Sequence, residues 1–148
     1  MSKSNVGNIF SLFYSADTRK ETSILSLDKK GVVKDKHYGK KEERSVLIAS
    51  LESYKLSKEH GIDINYGALG ENILMDYNPY ALEEGSKLLI GEVILEISQH
   101  CTLCKSLTKV DVRLPKLLKV HRGIFAKVVK NGMIKKDDVI YLYNKGKK

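Results

Sequence analysis

The sequence predicts a mainly β protein, a barrel-like closed sheet with a few short helices. Three observations carry this expectation: many short apolar runs, turn residues between them, and one clear helical stretch. At 148 residues the chain has the length of a single domain, 1–148, with its core over 6–143 and a basic tail at 145–148.

"VGNIFSLFYS" (6–15) reads as a first strand and "TSILSLD" (22–28) as a second. "RSVLIAS" (44–50) is compact, apolar and β-branched, which suits a buried strand. In "LESYKLSKEHG" (51–61), Leu51, Tyr54 and Leu56 lie close to helical spacing. Ser50 fits the N-cap and Gly61 the C′ position, so this is the main helix. "YGALGENILM" (66–75) reads as a glycine-bearing loop feeding a strand. "SKLLIGEVILEIS" (86–98) reads as a hairpin turning at Gly91. "CTLCKSL" (101–107) is expected to open a short helix. "GIFAKVVKNGMI" (123–134) reads as a strand ended by Asn131-Gly132, a strong hairpin dipeptide, with "DDVIYLYN" (137–144) as its returning partner. Pro79 and Pro115 fall in segments read as loops, and no internal repeat or linker is visible.

Hydrophobic residues make up 42% and charged residues 30%, as in an ordinary globular protein. No apolar run approaches the ~20 residues of a membrane span. The amino-terminal segment carries no small-residue cleavage site and patterns as a strand rather than a signal peptide. Cys101 and Cys104, three positions apart, cannot staple a domain of this size, so a reducing, cytoplasmic setting is expected. The net charge of +8, from 26 Lys+Arg against 18 Asp+Glu, points to an anionic partner: nucleic acid, a membrane surface or a small phosphorylated ligand. No helix-turn-helix, RNP or zinc-finger pattern is present, and aromatics are only 7% with no tryptophan. A nucleic-acid partner therefore ranks last.

Three polar clusters interrupt the apolar runs. In "DKHYGKKEER" (35–44), Lys36, His37, Lys40, Lys41 and Arg44 can wrap an anion, and Gly39 permits an unusual backbone angle. On its own the stretch also reads as an exposed loop. In "GALGENI" (67–73) the glycines allow close backbone approach, and Glu71 and Asn72 stand just before an apolar run. The third is "QHCTLCKSL" (99–107). A structural zinc site needs about four ligands, and only His37, His60, His100 and His121 are available to complete one. A redox C-x-x-C expects a thioredoxin-type βαβ alternation, which is missing. One activated thiolate, lowered by a helix N-terminus and by Lys105, and two inert buried cysteines remain as readings.

Taken in order, "DKHYG…RSVLIAS", "GALGENI", "LLIGEVILEISQHCTLC" and "HRGIFAKVVKNGMIKKDDVI" resemble the MOSC domain, named for the C-terminal part of molybdenum cofactor sulfurase. The resemblance covers roughly residues 6–143 and implies a β-barrel-like fold. It further implies a pocket for the molybdenum cofactor, a pyranopterin with a terminal phosphate. One cysteine of the family carries sulfur in some members and ligates molybdenum in others; the latter reduce N-hydroxylated compounds. On this resemblance Cys104 is the family cysteine, catalytic and the molybdenum ligand. Lys36, His37, Gly39, Arg44, Gly70, Glu71, Asn72 and Arg122 are its cofactor-binding residues, with Asp35 as the acid of the first block. Gly123 and Phe125 match the glycine and aromatic positions of the late strand. Leu103 stands before Cys104 where many members have proline. The implied partners are a small anionic cofactor and a cysteine desulfurase or cofactor-biosynthesis protein, with a homodimer as a further option and no membrane. The chain is expected to be a stand-alone module acting as a cofactor-dependent reductase, a sulfur-transfer protein, or a carrier without turnover.

Overall fold

The structure, a computed structural model, describes residues 2–100, 111–118 and 123–143. Among the described residues eleven strands are formed: β1 (Lys3–Ser15), β2 (Arg19–Thr22), β3 (Ile24–Asp28), β4 (Gly31–Val32), β5 (Val46–Ser50), β6 (Ile73–Met75), β7 (Lys87–Ile90), β8 (Val93–His100), β9 (Ile124–Lys130), β10 (Gly132–Lys135) and β11 (Val139–Tyr143). Seven of them close into a ring in the order β1-β6-β5-β9-β8-β7-β11, with β11 returning to pair with β1. The expected closed, mainly β architecture is what forms. Closure also removes the exposed edges that an open sheet would leave.

The 13-residue β1 makes the closure work. Its first half pairs with β11, its middle with β6 and its last residues with β2. Register shifts between Asn5 and Gly7 and between Ile9 and Ser11 bend the strand from one neighbour to the next. Strand alternation then sorts the side chains. Ile9, Leu12, Val46, Ile48, Ile73, Leu88, Leu95, Ile97, Ile124 and Ile140 fill the interior as one apolar cluster. A second, smaller core forms outside the barrel, where Phe13, Ala49 and Leu74 pack beneath helix α1 (Leu51–Glu59) and a one-turn helix at Leu114–Leu117.

α1 begins as the sequence indicates. The Ser50 hydroxyl accepts the Glu52 amide at 3.1 Å, satisfying one of the open N–H groups of the first turn. The helix joins β5 to β6, the parallel pair of the barrel. Both prolines sit in first turns rather than in loops: Pro79 in a 3-10 turn (Pro79–Ala81) and Pro115 in the turn at Leu114–Leu117. At such positions the missing N–H costs no helical bond. The run 22–28 is also divided, with a break at Ser23 between β2 and β3.

One expectation is overturned. Asn131-Gly132 does not close a hairpin between β9 and the following strand. β10 crosses to pair with β3 in a separate three-stranded sheet, and β11 pairs with β7 and β1. The physical reason is that both edges of β9 are already taken, by β5 and by β8.

Candidate functional site

The candidate site lies on the outer face of the barrel across β5 and β9. Val46 and Ile48 point inward, so Leu47 between them points outward, as does Phe125 opposite it. These two half-buried side chains form an apolar floor. A 3-10 turn (Glu42–Arg44) rises beside it, held by the Ser98 hydroxyl, which donates to the Glu43 carbonyl. The turn carries the Arg44 guanidinium to 5.5 Å from the centroid of the Phe125 ring, a cation–π contact. Gly70 and Gly123 flank Leu47: a methyl group at either would stand 3.8 Å or 3.5 Å from its side chain.

A buried polar network forms the wall. Asn72 spends its whole amide on the protein: Oδ1 accepts the Leu47 amide at 3.1 Å, while Nδ2 donates to the Phe13 carbonyl at 3.2 Å and to Asp35 Oδ1 at 3.3 Å. Asp35, 5% exposed, also accepts the amides of Ser15 (2.7 Å) and His37 (3.0 Å), and its Oδ2 lies 3.1 Å from His37 Nδ1. The loop carrying these residues turns through positive φ at Lys34 (75°) and Gly39 (74°). No atom lies within 4 Å of where a Gly39 side chain would begin. That glycine therefore answers a backbone need and not a close approach. Lys36 and His37 are exposed on the loop.

Glu71 faces away from the floor. Its carboxylate is 0% exposed; Oε2 accepts the Tyr54 hydroxyl at 2.5 Å and the Gly67 amide at 3.3 Å. Oε1 accepts no hydrogen bond among the described residues and lies 3.9 Å from the Arg19 guanidinium. Burial raises the Glu71 carboxyl above the ordinary glutamate range, against the opposing pull of Tyr54, its own backbone N–H and Arg19. Burial, followed by the neighbouring carboxylate, also raises the Tyr54 hydroxyl, which keeps it a proton donor. Arg19 locks the outer side of this loop, donating to the carbonyls of Gly67 (3.1 Å) and Glu71 and to the Ser15 hydroxyl (2.7 Å).

These bonds decide what the glycine loop can offer a ligand. The amides of Gly67 and Leu69 go to the Tyr54 hydroxyl, that of Ala68 to Asn65, that of Gly70 to Gly67 and that of Asn72 to Leu47. A phosphate would find none of these five free. For an anion here, the exposed cations of the 35–44 loop, Lys36, Lys40, Lys41 and Arg44, are the side chains on offer among the described residues.

Of the residues named from the sequence, the fold joins His37 and Asn72 through Asp35, sets Gly70 and Arg44 on either side of the Leu47–Phe125 floor, and turns Glu71 inward. Cys101, Cys104, Lys105 and Arg122 lie outside the described residues. Their chain neighbours are placed: β8 ends at His100, paired with Ile124 next to the floor. Arg19 and Tyr54 went unmarked in the sequence. Tyr54 patterns as an apolar helix-face residue, and Arg19 follows a turn-like "SADT" with no local sign of its distant partners. A groove of about 530 Å³, lined by Leu51, Tyr54, Lys55, Lys58, Ile64 and Tyr66 among others, contains none of the candidate site residues named from the sequence.

Likeness to solved structures and to a family model places the chain among known proteins. The YuaD protein from Bacillus subtilis superposes with a TM-score of 0.83 at 20% identity, covering 97% of this chain and 99% of that one. YiiM from Geobacillus stearothermophilus gives 0.70 at 16% identity over 97% and 76% of the two chains, and YiiM from Escherichia coli gives 0.69 at 17% over 95% and 72%. At such identities these likenesses speak for the fold. No curated protein matches the sequence. The family model of the MOSC domain matches residues 34–141, from the loop that carries Asp35 to the strand that closes the barrel, and the chain therefore belongs to the MOSC domain family.

Proposed function

We propose that this MOSC domain binds the molybdenum cofactor against the Leu47–Phe125 floor, with the Cys104 thiolate as molybdenum ligand or sulfur carrier. The observation that carries this reading is the meeting of three sequence-distant blocks, Asp35–His37, Gly70–Asn72 and Arg44–Phe125, around β5 and the end of β8, which leads into Cys101–Cys104.

The residues fit the group in three respects and not in a fourth. Arg44 and Lys36 are exposed cations suited to a phosphate, Arg44 with a forked contact. The aromatic and aliphatic floor suits a flat heterocycle. A single cysteine sulfur, Cys104 by the family resemblance, would be the protein's metal donor, the soft ligand type that molybdenum favours. The glycine-loop amides are spent internally, so Gly70, Glu71 and Asn72 hold the wall in place rather than grip a phosphate. Arg122 would add a further cation. When bound, the group supplies the two-electron redox couple.

Reduction of N-hydroxylated compounds, the activity that the family resemblance implies, is one use of such a site. Sulfur delivery, with a cysteine desulfurase or a cofactor-biosynthesis protein as partner, is the other use of the same thiolate. A thiolate role places the chain in a reducing compartment; among the described residues no helix is long and apolar enough to cross a membrane.

Protein purified from a host that makes the cofactor should retain near-stoichiometric molybdenum and pterin. Cys104→Ser should lose both. Equal loading of that variant would remove Cys104 as the anchor.

A further inference from the structure

We infer that His37 is the proton-transfer residue of this site, held in one tautomer by Asp35 with Nε2 left open. The inference rests on the cofactor-binding reading above and adds a role to one of its residues.

The geometry is that of an oriented imidazole. Asp35 Oδ2 already accepts the His37 backbone N–H, and a carboxylate oxygen only accepts, so Nδ1 at 3.1 Å is the protonated ring nitrogen. The carboxylate cannot swing away. Its other oxygen is held by the Ser15 amide at 2.7 Å and by Asn72 Nδ2 at 3.3 Å, and the residue is buried. The loop is fixed as well, through Lys36 N–H to the Ser15 carbonyl (2.6 Å), Tyr38 N–H to the Asp35 carbonyl (3.0 Å) and Gly39 N–H to the Lys30 carbonyl (2.8 Å). The His37 side chain is nonetheless 62% exposed, and Nε2 makes no hydrogen bond among the described residues. A rigid, oriented ring with one open nitrogen is what general acid–base work requires. The bond chain His37–Asp35–Asn72 ties the ring to the Leu47 amide on β5, the strand that carries half of the floor.

In the reduction R–NHOH + 2e⁻ + 2H⁺ → R–NH₂ + H₂O, the N–O bond breaks. The doubly protonated ring of His37 gives its Nε2 proton to the departing hydroxyl oxygen, which leaves as water, and the ring returns to the Nδ1–H tautomer. The second proton reaches the amine nitrogen from solvent, and both electrons come from an external low-potential reductant, reduced methyl viologen in the assay. His37 is then reprotonated from solvent.

Two measurements on the full chain test this. Long-range ¹H–¹⁵N imidazole spectra, at a pH where the ring is neutral, should show His37 as the Nδ1–H tautomer, assigned by the signal missing in His37→Asn. An Nε2–H tautomer, the form free imidazole side chains prefer, overturns the inference whatever the cofactor does. In the viologen assay with an N-hydroxylated base, His37→Asn should keep wild-type molybdenum and pterin content while kcat falls about 100-fold or more. Unchanged kcat, or a loss of rate that merely follows lost cofactor, overturns the role and leaves His37 as scaffold or anchor. Wild-type protein without turnover or without cofactor fails the underlying reading instead, and the inference with it.

Discussion

The barrel interior and the wall behind its outer face are both buried, yet they are held by opposite means. Inside, apolar side chains from the barrel strands join those of the three-stranded sheet in one hydrophobic cluster. Outside, Asp35, Glu71 and Asn72 are almost as deeply buried and are held by designated partners: Ser15, His37, Tyr54, Leu47 and Phe13. Glu71 Oε1 alone of their side-chain atoms faces only the Arg19 guanidinium, at 3.9 Å, among the described residues. The interior is non-directional, so what matters there is volume. The wall is directional, so what matters is each donor and acceptor. The difference teaches where this fold keeps its shape and where it keeps its chemistry. A barrel held by volume can carry a polar wall whose geometry serves a site.

The comparison breaks most visibly at its two ends. Ile48→Ala, at a fully buried interior position, should cost about 4 kcal/mol, read from denaturant midpoints. A loss under about 1 kcal/mol would mean that the interior is not close-packed. Asn72→Ala should cost about 3 kcal/mol, because it strands the Leu47 amide and the Phe13 carbonyl and frees Asp35. Amide exchange should then rise in the 34–40 and 67–72 loops more than in β7 or β8. Uniform loosening would dissolve the distinction between the two regions.

Smaller effects sharpen it. Gly67 sits at φ +91°, and a methyl group there would lie 2.9 Å from the Phe13 ring. Gly67→Ala should therefore cost about 2 kcal/mol, while a midpoint within experimental error would show that the loop yields freely. The smallest effect is a slope. Since the folded state holds the Glu71 proton more tightly than the unfolded chain does, its contribution is complete below the usual glutamate range. It is lost as the pH rises through the folded value. Wild-type stability should thus fall relative to Glu71→Gln as the pH rises above about 4.3, and parallel profiles for the two proteins would contradict the shift.

Legibility from sequence followed the same division. Strands β1, β5, β7, β8 and β9, helix α1 with its Ser50 cap, and the turn at Gly91 were readable because period, capping and turn chemistry are local. Asn131-Gly132 misled because a hairpin needs a free edge, and whether β9 has one depends on strands far away in the chain. Within the site, the polar blocks could be named but their orientations could not. Glu71 and Asn72 are adjacent in the chain, yet one turns inward to Tyr54 and the other bridges β5 to Asp35. Arg19 and Tyr54 carry no local mark, since the contacts that tie them to the glycine loop include partners 48 and 17 residues distant.

The amino-acid sequence by itself determined the β-rich class, the main helix, the family and the polar blocks, because each is written in short-range pattern and residue type. Only the tertiary structure decided which strands share an edge, that the glycine loop spends its amides internally, and that one histidine is aimed by a buried aspartate. Those outcomes depend on hydrogen-bond partners that come together only when the ring of strands closes.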